Sequence, residues 1–174
     1  MDPRLEQVRN AIRDIPDFPK PGILFRDITP LLADPAALRQ TITLLEERYR
    51  PQNLQAIVAV ESRGFVFGAP LALHLDLPLH LVRKAGKLPG ETESISYDLE
   101  YGSATLEIHK GALPKGARAL IIDDLLATGG TARAACQLVE KQGGQVVECA
   151  FIIELEGLNG REKLGYPTHA MLTL

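Results

Sequence analysis

The 174-residue sequence predicts an α/β domain: a central, mainly parallel sheet flanked by helices, with an N-terminal hood and an inserted antiparallel excursion. Three observations carry this reading. Ala56 to Val60 and Ala119 to Ile122 are unbroken apolar runs, as expected of strands buried on both faces. Each leads through a short loop into a segment with apolar residues at three- and four-residue spacing, and strands alternating with helices imply parallel pairing through right-handed crossovers. Residues 91–109 differ, alternating in steps of two, which marks an antiparallel pair. No linker of interdomain quality breaks the chain, so 1–174 is expected to form a single domain, with 1–33 as helix and hood and 91–109 as a mobile excursion.

The elements follow in order. Asp2-Pro3 has the form of an N-cap followed by Pro at the first helical position, and Leu5, Val8, Ile12 and Ile15 predict one helical stripe. From Pro16 to Pro30 the prolines forbid a helix and stiffen the chain. Phe18, Ile23, Leu24 and Phe25 make this loop unusually apolar: either it packs down on the core, or it is a flap over a flat aromatic ligand. Asp34-Pro35 repeats the capping signal before a second stripe, Leu38, Ile42, Leu45 and Tyr49.

After the strand at 56–60 come Glu61-Ser62-Arg63-Gly64 and a helical segment from Phe65 to Leu75. Leu79 to Val82 predicts a third strand, followed by Arg83, Lys84 and Lys87. Cations just past a strand end in an α/β fold sit where ligands bind, so this cluster suits an anion, with a solvated face as the alternative. In the excursion, Ile95, Tyr97 and Leu99 alternate on one limb and Ala104, Leu106 and Ile108 on the other, around Glu100-Tyr101-Gly102. Gln145 to Leu155 and His169 to Leu174 predict two closing strands, with a turn and a short helical piece between them.

The stretch from Ala119 to Ala132 organises the rest. Its strand is expected to end on Asp123 and Asp124, and Ala127-Thr128-Gly129-Gly130-Thr131 then opens a helix running to Gly143. A loop entering a helix aims free N–H groups and a positive dipole end at an anion. The glycines let a phosphate approach the backbone, and the threonines add hydroxyl donors. Paired carboxylates would repel a bare anion but suit the 2′- and 3′-hydroxyls of a ribose 5-phosphate. The alternative is an ordinary strand-to-helix turn with acids at its mouth. Neither a Lys after Gly130 nor a Gly-x-Gly-x-x-Gly is present, which removes the rival phosphate motifs.

Composition narrows the classes. Hydrophobic residues at 45% and charged residues at 24%, without low complexity, indicate a globular chain. A formal net charge of −3 speaks against nucleic-acid binding through a general basic surface. No apolar run reaches membrane-spanning length and no signal segment opens the chain, so no membrane partner and a cytoplasmic location are expected. Cys136 and Cys149 read as buried thiols of a reduced compartment. His74, His80, His109 and His169 lack metal-ligand spacing.

The 119–132 stretch closely resembles the 5-phosphoribosyl-1-pyrophosphate (PRPP) signature of type I phosphoribosyltransferases. The similarity continues through Phe18 to Asp27, Glu61 to Phe65, Arg83 to Gly90, Tyr97 to Gly102 and Gly160 to Leu164. The Pro-rich block and Leu99-Glu100-Tyr101-Gly102 are similar to those of members whose acceptor is adenine. The resemblance implies the type I phosphoribosyltransferase fold and the reaction of adenine with PRPP to give AMP and pyrophosphate. It implies Mg²⁺ carried mainly by PRPP, with no direct protein ligand, and a homodimer whose second subunit contributes some cations. Asp123 and Asp124 would fix the ribose hydroxyls, and Ala127, Thr128, Gly129, Gly130 and Thr131 the 5′-phosphate. Arg63, Arg83, Lys84 and Lys87 would meet pyrophosphate, beside a cis peptide at Glu61-Ser62. Leu24, Phe25 and Arg26 would bind adenine, Glu100 would act as acid/base, and Tyr101 would also contact substrate. A second reading keeps fold and ligand without catalysis, as a PRPP- or nucleotide-sensing regulator. A relative using xanthine or guanine is the nearer competitor.

Overall fold

In a computed structural model, which describes residues 2–99 and 102–174, proline and capping residues shape the first of two compact units, Met1–Arg48. Asp2 caps α1 (Pro3–Asn10), its Oδ1 accepting from the Arg4 backbone N–H at 2.9 Å. The stripe expected to run to Ile15 ends early: Ile15 belongs to β1 (Arg13–Pro16), opposite Phe25 of β2 (Leu24–Asp27) in an antiparallel pair. Pro16 and Pro19 forbid a helix there, and the extended backbone they favour pairs instead. α2 (Thr29–Ala33) follows, then α3 (Pro35–Tyr49), whose first N–H groups at Ala36 and Ala37 donate to Asp34 Oδ1 at 2.8 and 3.2 Å. Arg4 reaches Glu47 at 2.8 Å and so ties α1 to α3.

The second unit, Tyr49–Leu174, is built on a seven-stranded sheet. β3 (Ala56–Val60) is buried at every residue, and α4 (Arg63–Leu75) follows it. Next come β4 (Leu79–Lys84), β5 (Thr92–Asp98), β6 (Ser103–His109) and β7 (Arg118–Leu126). α5 (Gly130–Lys141), β8 (Gln145–Glu154), α6 (Gly160–Leu164) and β9 (Thr168–Thr173) complete it. The strand order is β5-β6-β4-β3-β7-β8-β9. β4, β3, β7, β8 and β9 are parallel neighbours, and the β5–β6 excursion adds antiparallel to β4, as the two-residue alternation predicts.

Successive strand residues point to opposite faces, and the two helices divide them. Val58, Val60 and Ile121 share a core with Ala135, Leu138 and Val139 of α5. On the other face Gly68 of α4 lies so close that an added β-carbon would stand 2.7 Å from Ala59 Cβ and 3.1 Å from Ile122 Cγ2. Cys136 of α5 and Cys149 of β8 are both fully buried, with sulfurs 3.3 Å apart.

Two elements outrun their expected ends. β4 continues through Arg83 and Lys84, which pair with Glu107 and Leu106 of β6. β7 continues through both acids: its pairing with β3 stops at Ile122, but pairing with β8 runs on from Asp123–Phe151 to Leu126–Glu154. Asp123 and Asp124 therefore sit within a strand held on one side only. The strand expected to end on the acids is carried on to Leu126 by the ladder to β8.

Candidate active site

The stretch of β7 beyond β3 forms one wall of a cavity of about 250 Å³. Asp123, Asp124 and residues 127–131 line it with Glu61, Arg63 and Lys84. The expected cradle is built as a tight loop into α5. Gly129 has φ 85°, a left-handed backbone that glycine adopts without strain. The intrahelical ladder is under way at Arg133, whose N–H donates to Gly129 O at 2.9 Å. The N–H groups of Gly130, Thr131 and Ala132 precede it at the positive end of a 12-residue helix.

A second segment props this loop from behind. A β-carbon on Gly160 would stand 2.1 Å from Ala127 O, and one on Gly129 would stand 2.6 Å from Gly160 O. Gly160 opens α6, so the Gly160-to-Leu164 block matters through close backbone approach. Nothing in its side chains announces that.

Opposite the acids, Gly64 lets the start of α4 touch β7: an added β-carbon would meet Ile122 O at 2.6 Å. That approach delivers Arg63, whose Nε donates to Asp124 Oδ2 at 2.5 Å. Asp124 is almost fully buried, whereas Arg63 is half exposed. Asp123 Oδ1 accepts from the Asp124 backbone N–H at 2.8 Å. Burial above all, and then the charge of Asp124, push the Asp123 carboxyl well above the ordinary 3.8. One wall of the cavity thus carries a carboxylate paired to a guanidinium beside an acid whose proton is held more tightly than usual.

The predicted cations gather around a carboxylate. Glu61, next to the cis Glu61–Ser62 peptide, accepts from the Lys84 backbone N–H at 2.8 Å. Lys87 Nζ stands 3.0 Å from it and Arg83 Nε 3.3 Å. Burial alone would raise the Glu61 pKa, but these donors outweigh it and hold the carboxyl low. Lys84 lines the cavity itself, while Arg83 and Lys87 are bound to its neighbour.

Leu24, Phe25 and Arg26 lie on β2 of the first unit. Leu24 is half exposed, Arg26 is ion-paired to Asp14, and the rings of Phe25 and Phe18 meet edge to face at 5.2 Å. Glu100 and Tyr101 lie outside the described residues. Tyr97 was not singled out by sequence as a site residue, yet it lines the cavity and its hydroxyl is 3.0 Å from Thr131 Oγ1. The signal was its place in the alternation with Ile95 and Leu99. Among the described residues, no group of three or more His, Cys, Asp or Glu is placed to hold a metal ion, and no helix is long and apolar enough to cross a membrane.

A family model described as the phosphoribosyl transferase domain matches residues 27–167. Adenine phosphoribosyltransferase of Methylococcus capsulatus is 56% identical over 169 residues, covering 97% of this chain and 99% of that protein. A crystal structure of adenine phosphoribosyltransferase from Rhodothermus marinus superposes with a TM-score of 0.93 at 51% identity, covering 100% of both chains. The Saccharomyces cerevisiae adenine phosphoribosyltransferase, complexed with an imino-altritol bisphosphate and adenine, gives 0.93 at 41% identity, covering 99% of this chain and 100% of that one.

Proposed function

The chain belongs to the phosphoribosyltransferase family, and on that premise we propose that it transfers the 5-phosphoribosyl group from PRPP to adenine, giving AMP and pyrophosphate. The single observation that carries this is the cavity in which the adjacent acids Asp123 and Asp124, the latter paired to Arg63, and a helix-opening Thr-Gly-Gly-Thr loop face the same space.

The chemistry follows from those groups. The N–H groups at the start of α5, with Thr128 and Thr131, hold the 5′-phosphate. Asp123 and Asp124 fix the ribose hydroxyls, so C1′ is held in line for displacement. As the bond from C1′ to pyrophosphate breaks, positive charge grows on the ribosyl ring, and the Asp124 carboxylate opposes it in a site screened from water. Arg63 and Lys84 neutralise the departing pyrophosphate, joined by Arg83 and Lys87 when those exchange Glu61 for the ligand. Adenine lies against Phe25, its edge read by the backbone at Leu24 and Arg26. Glu100 takes the imidazole proton that adenine loses on attack. Closure of the 91–109 excursion excludes water and limits PRPP hydrolysis.

The donor set fits Mg²⁺ arriving on PRPP: Asp123 and Asp124 on one wall would face an ion held by substrate oxygens and water. When bound, the ion supplies positive charge to the leaving pyrophosphate.

We further propose a cytoplasmic homodimer. The outer face of α4 supports it, because Val66 and Leu73 stand exposed one above the other at helical spacing, Leu73 at 80%, on the helix that begins with Arg63. A second copy covering that face would bring its own cations near this cavity.

The experiment is incubation with PRPP, Mg²⁺ and each of adenine, hypoxanthine, guanine and xanthine. AMP from adenine alone is expected. Nucleotide from another base would overturn the role of residues 24–26, and PRPP binding without any nucleotide would favour the sensing regulator.

A further inference from the structure

We infer that Tyr97 is a positioning residue that couples occupancy of the phosphate loop to the seat of the antiparallel excursion. The inference rests on the reading of residues 127–131 as the 5′-phosphate site. Tyr97 stands on β5, one residue before that strand ends at Asp98. Its ring lies over the first residue of α5: a β-carbon on Gly130 would touch Tyr97 Cδ2 at 3.6 Å, an ordinary van der Waals distance. Its hydroxyl meets Thr131 Oγ1 at 3.0 Å. It also divides two spaces, lining both the cavity of the acid pair and a neighbouring hollow of about 760 Å³ that shares Thr128, Gly130 and Thr131.

β5 is fastened to α5 at its other end as well. Lys141, in the last turn of α5, places Nζ 2.9 Å from Glu93 Oε2 and 3.2 Å from Ser94 O. That tie involves no group of the site. The Tyr97 tie does, because Thr131 opens the helix whose N–H groups face the phosphate.

Proton direction gives the coupling its mechanism. Either hydroxyl can be the donor without ligand, since each carries one proton and two acceptor lone pairs. A phosphate dianion beside Thr131 accepts only, so the Thr131 proton must point to it and Tyr97 must donate to Thr131. The chain then runs phenol to threonine to phosphate. Each bond polarises the next, so the Tyr97–Thr131 contact is stronger with ligand than without. By reciprocity, whatever seats β5 against α5 also tightens the phosphate site. The strand β5 is thereby indexed to the phosphate end of the substrate.

The test is Tyr97→Phe, which keeps the ring on Gly130 and removes the hydroxyl alone. PRPP affinity, read by titration calorimetry and as KM, is expected to weaken by up to about twofold, the share of one hydrogen bond by which the ligand strengthens the contact. KM for adenine should stay at the wild-type value, and the melting temperature of the unliganded protein should fall by no more than the loss of that one hydrogen bond explains. In a Thr131→Ala background the same change should have no further effect on PRPP affinity, since the cycle isolates the pair. Unchanged PRPP affinity in Tyr97→Phe, an equal loss in both backgrounds, or a lowered melting temperature without loss of PRPP affinity would each overturn the inference. Should no base yield nucleotide, the proposed reaction falls, and the calorimetric ratio still decides the role of Tyr97.

Discussion

Arg63 Nε sits 2.5 Å from Asp124 Oδ2, so the loop that opens α4 is clasped to the far end of β7. The clasp depends on Gly64, since any side chain there would strike the Ile122 carbonyl. It also separates two adjacent acids by environment: Asp124 has a guanidinium, while Asp123 has burial and a negative neighbour.

Asp123→Asn should alter how stability depends on pH. The folded-state pKa of Asp123 lies above the ordinary 3.8, so between those values the folded chain binds more protons than the unfolded one. Stability from this group is therefore full below the ordinary value and falls as pH rises through the folded one. Asp27, Glu61 and Glu93 are held low and act in the opposite sense, losing their contribution as pH falls. Urea unfolding at rising pH above the ordinary 3.8 should show wild type losing stability relative to Asp123→Asn. Parallel curves would refute the raised pKa of Asp123.

Asp124→Asn should lower turnover roughly tenfold or more, the scale of one lost charge-assisted hydrogen bond. The partner left behind, Arg63, is half exposed and remains hydrated, so the fold should survive. Steady-state kinetics with PRPP varied reads this, and unchanged kcat would remove Asp124 from the site.

Glu100→Gln should reduce kcat by about 10²-fold if it relays the adenine proton. PRPP affinity should be retained. A variant that turns over normally, or one that instead loses PRPP, would end that role.

Gly160→Ala should destabilise the protein by about 1–3 kcal/mol, the usual cost of forcing a methyl group into filled space. The carbonyl it would strike, that of Ala127, belongs to the phosphate loop, so PRPP affinity should fall as well. Urea unfolding and calorimetry check the two effects; loss of neither would mean that the loop and α6 part easily.

Most of the sheet could be read from residue type. Ala56 to Val60 and Ala119 to Ile122 are buried on both faces because nothing polar interrupts them, and residues 92–109 pair antiparallel as their alternation implies. Ile15 misled, because spacing alone cannot distinguish the end of a helix from the start of a proline-bounded strand. The acids misled in a similar way: Asp123 and Asp124 looked like the end of a strand, whereas pairing with β8 carries the strand past them. Glu61 as the shared partner of Arg83 and Lys87 depends on contact across two strands, which no local pattern encodes. The demand for glycine at position 160 is likewise a fact about Ala127, 33 positions earlier (160 − 127), visible only once the backbones meet.

The overhang of β7 past β3 acts as a ruler. From Asp123 to Leu126 it spans about 10 Å at the usual strand rise, and its length sets how far the acids stand from the loop at 127–131. Backbone, not side chains, fixes that separation. Exchanges of residue type along the overhang therefore adjust charge and fit while leaving the spacing intact. Deleting or inserting one residue would turn every following side chain to the opposite face. Related chains should accordingly keep the number of these four positions fixed.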